Sequence, residues 1–328
     1  MQTLRMSLAS AAAVCFAGIA CAADATHKGA APDASANARR GTQLAEDGHC
    51  DQALTLLTKS LGRLTPGDLE KTVGFDGIKC AMAMNQMEAA ADFVRMLQRD
   101  FPKDPQVLYV ATHVYSDLSI RASQTLLYSA PGSYQVHQLN AEALEAQGKW
   151  DDAATEYQQV LKQDPKLKGM HYRLGRIILS KQPTATSSEE ARREFQAELE
   201  IDPSNAGAEY VLGELARQAR NYPESIEHFA RATKLDRTFA DAFIGLGRSL
   251  VADGKVADAL APLETAVKLQ PRNAAAHYHL GVVYQRTGRK DDAAKEFAIR
   301  KEISEQNRQL ADQVHSGIVG PQAPEPEP

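Results

Sequence analysis

Residues 240–273 read ADAFIGLGRSLVADGKVADALAPLETAVKLQPRN, and residues 274–307 read AAAHYHLGVVYQRTGRKDDAAKEFAIRKEISEQN. Both stretches are 34 residues long, and each has a Leu-Gly pair at its seventh and eighth positions, Leu246-Gly247 and Leu280-Gly281. Self-similarity at one fixed period of about 20 to 50 residues is the signature of a repeat architecture. The sequence therefore predicts an array of stacked repeats.

The same period continues towards the N-terminus with decreasing regularity. Further units in this register occupy residues 206–239, 168–205, 134–167, 104–133, 70–103 and 34–67. The unit at 168–205 is longer by four residues, which we place in a loop around Pro183 to Ser188. The unit at 104–133 matches worst and is shorter, so it is either a degenerate hairpin or a hinge.

Each unit has the pattern of two short helices. With 3.6 residues per turn, positions 4, 7, 8 and 11 share one face of a first helix, and positions 20, 24 and 27 share one face of a second. Gly148, Gly254 and Gly288 stand between the two patterns, where a left-handed residue ends a helix. The composition is 43% hydrophobic but only 6% aromatic, which suits closely packed helices. The predicted fold is all-α.

The Leu-Gly pairs, interhelical glycines and 34-residue spacing resemble the tetratricopeptide repeat (TPR) family over residues 34–307. The resemblance implies a right-handed superhelical solenoid of about eight hairpins, with degenerate units at 34–133 and regular units at 134–307. It also implies a concave groove, lined by positions 2, 5, 9, 12 and 13 of the first helices, that binds a partner protein or peptide. On and just beyond those positions the sequence has Tyr172, Arg176, Tyr210, Glu214, Arg217, Ile244, Arg248, Tyr278 and Arg286.

This candidate groove is rich in tyrosine and arginine, the residues most enriched at the energetic centres of protein interfaces. Tyrosine recurs at position five in three units. The alternative is an ordinary solvated helix face with internal ion pairs. The paired lysine and asparagine with which some family members bind chaperone tails are missing, so the resemblance does not imply that kind of ligand.

The two ends of the chain differ from the repeats. Residues 1–23 have a cation at Arg5, an uncharged apolar run and small residues before Ala23, the pattern of a secretory signal peptide. Cys21 lies in a partial lipoprotein box, so a lipid anchor is the alternative to a soluble mature protein. Residues 24–33 are predicted to be a flexible linker, and residues 308–328 a polar cap followed by a disordered tail rich in proline and glutamate. The expected location is the periplasm or cell envelope.

Two cysteines remain after removal of the predicted leader, Cys50 and Cys80. Cys50 falls at the start of the second helix of the unit at 34–67, and Cys80 falls late in the next helix, which should pack antiparallel to it. Disulfides persist in an oxidising compartment. We therefore expect a disulfide between them, against the alternative of two separately buried thiols.

Several functional classes are disfavoured by the sequence. The formal net charge is −5, and no basic stripe interleaved with aromatic residues suggests nucleic-acid binding. No nucleophile elbow, phosphate loop or zinc-spaced cysteine set occurs, so we expect neither enzymatic activity nor a cofactor. His137, His171 and His277 share position four of their units. We interpret them as partly buried rings and predict no metal site.

The sequence thus favours a protein-interaction scaffold of the cell envelope that binds a partner protein or peptide in its groove. The alternatives are a lipid-anchored outer-membrane assembly or secretion factor, or a non-catalytic subunit that holds the substrate of an envelope enzyme system. No membrane insertion is expected after cleavage, and the sequence leaves the oligomeric state and the partner open.

Overall fold

A computed structural model describes residues 32–181, 184 and 186–318 of the chain. The predicted signal peptide, Cys21, most of the linker and residues 319–328 of the tail lie outside the described residues. The described residues are all-helical, which confirms the predicted fold class. They divide into two compact units, one ending at Thr125 and the other beginning at Leu126.

The first unit contains two helical hairpins and most of a long helix. Its helices are α1 (Pro32–Glu46), α2 (Cys50–Ser60), α3 (Asp68–Ala83), α4 (Met87–Asp100) and α5 (Pro105–Ser129), of which the last four residues belong to the second unit. α1 packs against α2, and α3 packs against α4. The core between them includes the fully buried side chains of Leu57, Phe93 and Leu97.

The second unit contains five hairpins. Its helices are α6 (Tyr134–Ala146), α7 (Trp150–Gln163), α8 (Met170–Ser180), α9 (Ser187–Ile201), α10 (Ala206–Gln218), α11 (Tyr222–Leu235), α12 (Ala240–Ala252), α13 (Leu260–Leu269), α14 (Ala274–Arg286) and α15 (Lys290–Ile318). A 3-10 turn at Ala257–Ala259 precedes α13. Each even-numbered helix packs against the helix that follows it, and the first helices α10, α12 and α14 also contact one another in sequence.

The residues predicted to end the first helices have the required conformation. Gly148, Gly254 and Gly288 lie between paired helices with φ of 71°, 83° and 82°. In the hairpins α3–α4 and α10–α11 the equivalent left-handed residues are Asn85 and Arg220, with φ of 62° and 60°. The turn is therefore retained even where the sequence lacks glycine.

Residues 104–133 do not form a hairpin. They contain one continuous 25-residue helix, α5, so within the described residues the array has seven hairpins and a single long helix in place of eight hairpins. The stretch from Gln106 to Ser129 contains neither glycine nor proline, and no residue there has positive φ. Nothing in this stretch therefore stops the first helix midway, which accounts for the poor match of the unit.

Two other features of the helices concern the α8–α9 connection and the end of α15. The four extra residues of the unit at 168–205 lie in the connection between α8 and α9, as expected. α15 continues past position 307 to Ile318, so the start of the predicted polar cap is the uninterrupted end of the last helix. Ile303, in the last turn before the extension, is buried, whereas Leu310 in the extension is exposed.

Candidate peptide-binding face

The predicted groove residues lie on four first helices of the second unit, and we call this surface the first-helix face. α8 carries Tyr172 and Arg176, α10 carries Tyr210, Glu214 and Arg217, α12 carries Ile244 and Arg248, and α14 carries Tyr278 and Arg286. Because α10, α12 and α14 contact one another in order, their side chains form one continuous surface.

Three tyrosine rings on this face are held by phenylalanine from the second helix of the same hairpin. The ring centroids of Tyr172 and Phe195 are 5.6 Å apart. Those of Tyr210 and Phe229 are 5.7 Å apart. Tyr278 lies 6.2 Å from the ring of Phe297. These separations are typical of favourable aromatic pairs, so each ring is held by packing.

The hydroxyl groups of these tyrosines differ from those of the core tyrosines. Tyr157 is fully buried and donates a hydrogen bond to Glu145 over 3.0 Å, and Tyr284 donates to Glu264 over 3.0 Å. By contrast, Tyr172, Tyr210 and Tyr278 form no side-chain hydrogen bond with any residue that the structure describes. Their hydrogen-bonding capacity is therefore unused within the described residues, although the Tyr172 hydroxyl packs against Gly207 of α10.

Exposure along this face is uneven. Tyr278 is 42% exposed and Arg176 is also exposed, whereas Tyr172 and Tyr210 are half-buried. Ile244 is only 6% exposed, because it packs with Ala266 and Ala276 of the following helices. Ile244 is thus a core residue, and its assignment to an exposed groove surface is corrected.

Arginine side chains surround a pocket of about 400 Å³ at one end of the face. Arg217 from α10, Arg248 from α12 and Arg286 from α14 line it, together with His279 and Val282 from α14. Arg217 Nη2 donates to Glu214 Oε2 over 2.7 Å. The pocket and this bond therefore bring together four of the predicted residues, three arginines and one glutamate.

His279 was not among the predicted groove residues. Burial, followed by the positive charges of Arg248 and Arg217, lowers the pKa of His279 to about 4. The imidazole is consequently neutral at neutral pH. Its spacing gives a partial signal, because His279 and Arg286 are related by i and i+7 and so share one helix face, but only the packing of three helices places it beside Arg217 and Arg248.

The three histidines at position four each pair with a carboxylate of the following helix. The Nδ1 atoms of His137, His171 and His277 lie 2.6, 2.7 and 2.6 Å from Glu156, Glu194 and Glu296, respectively. The bond to Glu194 is the main reason that the pKa of His171 is raised. Each ring thus links the two helices of one hairpin; His137 and His171 are partly buried, as we interpreted them, and His277 is buried. Among the described residues no cluster of His, Cys, Asp and Glu could hold a metal ion.

Cys50 and Cys80 are joined by a disulfide, with their Cα atoms 4.9 Å apart. Cys50 is the first residue of α2 and Cys80 lies in the last turn of α3. The bond therefore links the first hairpin to the second. In the part of the chain that the structure describes, no helix is both long and apolar enough to cross a membrane.

The chain is similar to one protein family and to several solved structures. The family model described as tetratricopeptide repeat matches residues 139–183, 184–238 and 244–302. A crystal structure of MamA is 24% identical, with coverage of 52% of this chain and 96% of MamA and a TM-score of 0.47. MamA from Desulfovibrio magneticus RS-1 is 17% identical, with coverage of 53% and 96% and a TM-score of 0.48.

A third similar structure is YrrB, described as a TPR protein with an unusual peptide-binding site. It is 19% identical, with coverage of 60% of this chain and 98% of YrrB and a TM-score of 0.48. The curated proteins gave no match. The family model matches three successive stretches whose helices pair in the 34-residue register found in the sequence. The chain therefore belongs to the tetratricopeptide repeat family.

Proposed function

We propose that this protein is a scaffold of the cell envelope that binds a partner protein or peptide on the first-helix face of its second unit. The observation that supports this most directly is the contrast between two sets of tyrosines. The core tyrosines have hydroxyls bonded within the chain, whereas Tyr172, Tyr210 and Tyr278 have packed rings and hydroxyls without a partner among the described residues.

Such tyrosines suit a binding surface for an energetic reason. A ring already fixed against phenylalanine loses little rotational freedom when a partner binds, and its hydroxyl can still donate or accept a hydrogen bond. Arg248 and Arg286 add charged donors on the same face. The envelope location rests on the signal-peptide pattern of residues 1–23, with a lipid anchor at Cys21 as its alternative form.

Site-specific photocrosslinking in living cells tests the binding face. A photoreactive phenylalanine analogue replaces Tyr210 or Tyr278 in one set of variants, and Tyr109 or Tyr128 in the control set. Tyr109 and Tyr128 are more exposed, at 67% and 87%, but lie on α5. We expect a discrete crosslinked partner from positions 210 and 278 and none from positions 109 and 128.

Removal of the hydroxyls provides the matching affinity measurement. The triple substitution Tyr172→Phe, Tyr210→Phe and Tyr278→Phe keeps the ring contacts. It should weaken binding of the crosslinked partner at least about tenfold, since each of the three lost interfacial hydrogen bonds contributes roughly 0.5 to 1.5 kcal/mol. Crosslinks that form equally from α5, or unchanged affinity of the triple variant, would contradict the proposal. Fractionation of the same cells with mass spectrometry of the N-terminus tests the location and the lipid anchor.

A further inference from the structure

The pocket among α10, α12 and α14 has an excess of positive charge. Its three guanidinium groups come from three successive first helices, Arg217, Arg248 and Arg286. Arg217 is paired with Glu214. Arg248 and Arg286 form no ion pair with any residue that the structure describes. Two of the three positive charges are therefore left without a compensating carboxylate.

Arg248 is half-buried in the pocket, whereas Arg286 is exposed at its edge. Solvent screening is weaker in a partly enclosed site than on an open surface, so an ion pair formed there is stronger than an exposed one. His279, half-buried between the helices, reports this environment, because the charges of Arg248 and Arg217 contribute to the depression of its pKa. His279 stays neutral at neutral pH, so it adds no charge to the pocket.

The walls of the pocket are partly apolar. Val251 and Val282 line it, and the ring of Tyr222 closes one side. Tyr210 lies near the pocket: burial and the negative charges of Glu214 and Asp241 raise the pKa of its hydroxyl, and Arg248 and Arg217 oppose that increase. A ligand that extends from the tyrosines into the pocket would thus meet aromatic rings, then aliphatic side chains and guanidinium groups.

We propose that this pocket binds carboxylate side chains of an acidic, partly apolar peptide segment of the partner protein. The planar guanidinium group donates two parallel hydrogen bonds to a carboxylate, which gives both strength and orientation. Arginines on successive helices suit carboxylates that follow one another along an extended segment. This inference rests on the proposed function, since it names the chemistry of the ligand on the same face.

The test uses the purified full chain and a fluorescent hexaglutamate peptide as the probe. Hexaglutamine of equal length measures binding that does not depend on charge. We expect saturable binding of hexaglutamate, at least about tenfold tighter than hexaglutamine, and weakening as the salt concentration rises. Absence of saturable hexaglutamate binding up to millimolar concentration would overturn the proposal.

Paired variants locate the binding site. Arg248→Gln with Arg286→Gln should reduce hexaglutamate affinity at least about tenfold, because two charge-assisted hydrogen-bonding groups are removed. The control, Arg237→Gln with Arg308→Gln, removes the same net charge from exposed arginines on other elements and should change affinity less than about twofold. Equal loss in both variants would show that only the overall charge matters and would refute the pocket.

The NMR signal of the His279 ring gives a readout that does not depend on the arginine variants. The signal is assigned with the His279→Gln variant. Saturation with hexaglutamate at pH 7, where its side chains are ionised, should shift this signal, because carboxylates then lie beside the ring. An unchanged signal would place the peptide elsewhere. Displacement of the peptide by millimolar inorganic phosphate would assign the pocket to phosphate.

A failure of the pocket proposal can be distinguished from a failure of the proposed function. If the pocket proposal alone is wrong, the partner identified from positions 210 and 278 still crosslinks and binds the Arg248→Gln, Arg286→Gln variant with unchanged affinity. If the proposed function is wrong, those two positions yield no discrete partner, whatever the result with hexaglutamate.

Discussion

At the scale of single residues, Glu70 is a buried carboxyl that faces a second carboxyl. The residue is 1% exposed on α3, its carboxylate oxygens accept no hydrogen bond from any described residue, and Asp100 lies within hydrogen-bonding reach. Burial raises the pKa of Glu70, the negative charge of Asp100 raises it further, and Arg99 opposes the shift. A carboxyl whose folded pKa is raised contributes stability while it is protonated, and that contribution is lost as pH rises through the raised value.

We therefore expect Glu70→Gln to stabilise the protein at pH 7.5 by about 1 kcal/mol, because a neutral amide replaces a buried unpaired charge. The gain should shrink as pH falls towards the ordinary glutamate pKa of 4.5, where the wild-type side chain is increasingly protonated. Urea unfolding at several pH values measures it. Glu88→Gln, at the exposed start of α4, serves as the control and should show no such gain. If the gain in stability of Glu70→Gln were equal at pH 7.5 and pH 4.5, the mechanism would be contradicted.

At the scale of the helical element, one histidine and one glutamate connect the two helices of most hairpins in the second unit. In three of these hairpins the histidine is on the first helix and the glutamate on the second. In the α10–α11 hairpin the order is reversed, with Glu209 on α10 and His228 on α11, 2.6 Å apart. The geometry of the pair is therefore retained when the two residue types exchange positions.

The same exchange of histidine and glutamate can be made in the α6–α7 hairpin. His137→Glu alone puts two carboxylates opposite each other, at positions 137 and 156, and should destabilise the protein by about 1 kcal/mol. The double variant His137→Glu, Glu156→His restores one histidine and one glutamate and should recover most of that loss. Chemical unfolding of both singles and the double gives the coupling energy. If the double variant loses the sum of the two single effects, the pair is not interchangeable.

At the same scale, the residue type at position 5 of a repeat unit is related to the residue type at position 24. Tyrosine faces phenylalanine in three hairpins, whereas Ile244 in the α12–α13 hairpin accompanies the aliphatic Leu263 at position 24. The recurrence of tyrosine thus has a packing cause as well as a proposed binding role. Packing explains the ring, and only the unbonded hydroxyl supports the binding role.

At the scale of the whole molecule, the described chain consists of two compact units, and the disulfide lies entirely within the first. Repeat proteins are stabilised by local and nearest-neighbour contacts, so a crosslink mainly affects the repeats that it joins. The Cys50–Cys80 bond closes a loop with a sequence separation of 30 residues. Loop-entropy reasoning gives it a contribution of about 3 kcal/mol.

We expect the Cys50→Ser, Cys80→Ser variant to lose about 3 kcal/mol of stability in the first unit alone. Hydrogen exchange followed by mass spectrometry should show faster exchange in α1 to α4 and unchanged rates in α6 to α15. A thiol assay on denatured, unreduced wild-type protein should detect neither Cys50 nor Cys80. Faster exchange throughout α6 to α15 would contradict a local effect.

The sequence by itself determined the period, the pairing of helices and the turns. The spacing of Leu246-Gly247 and Leu280-Gly281 sets the repeat, and Gly254 and Gly288 end first helices through their own backbone conformation. These features depend on residues close together in the chain, so they can be read without the tertiary structure. The same reasoning placed Cys80 one helix away from Cys50.

Only the tertiary structure decided which residues of the first helices are available to a partner. Ile244 is buried because helices α13 and α14 pack over it, while Tyr278 at the equivalent position remains exposed. His279 joins Arg217 and Arg248 in one pocket because three helices distant in sequence converge there. Burial and convergence depend on contacts between hairpins, so the sequence pattern within one repeat does not predict them.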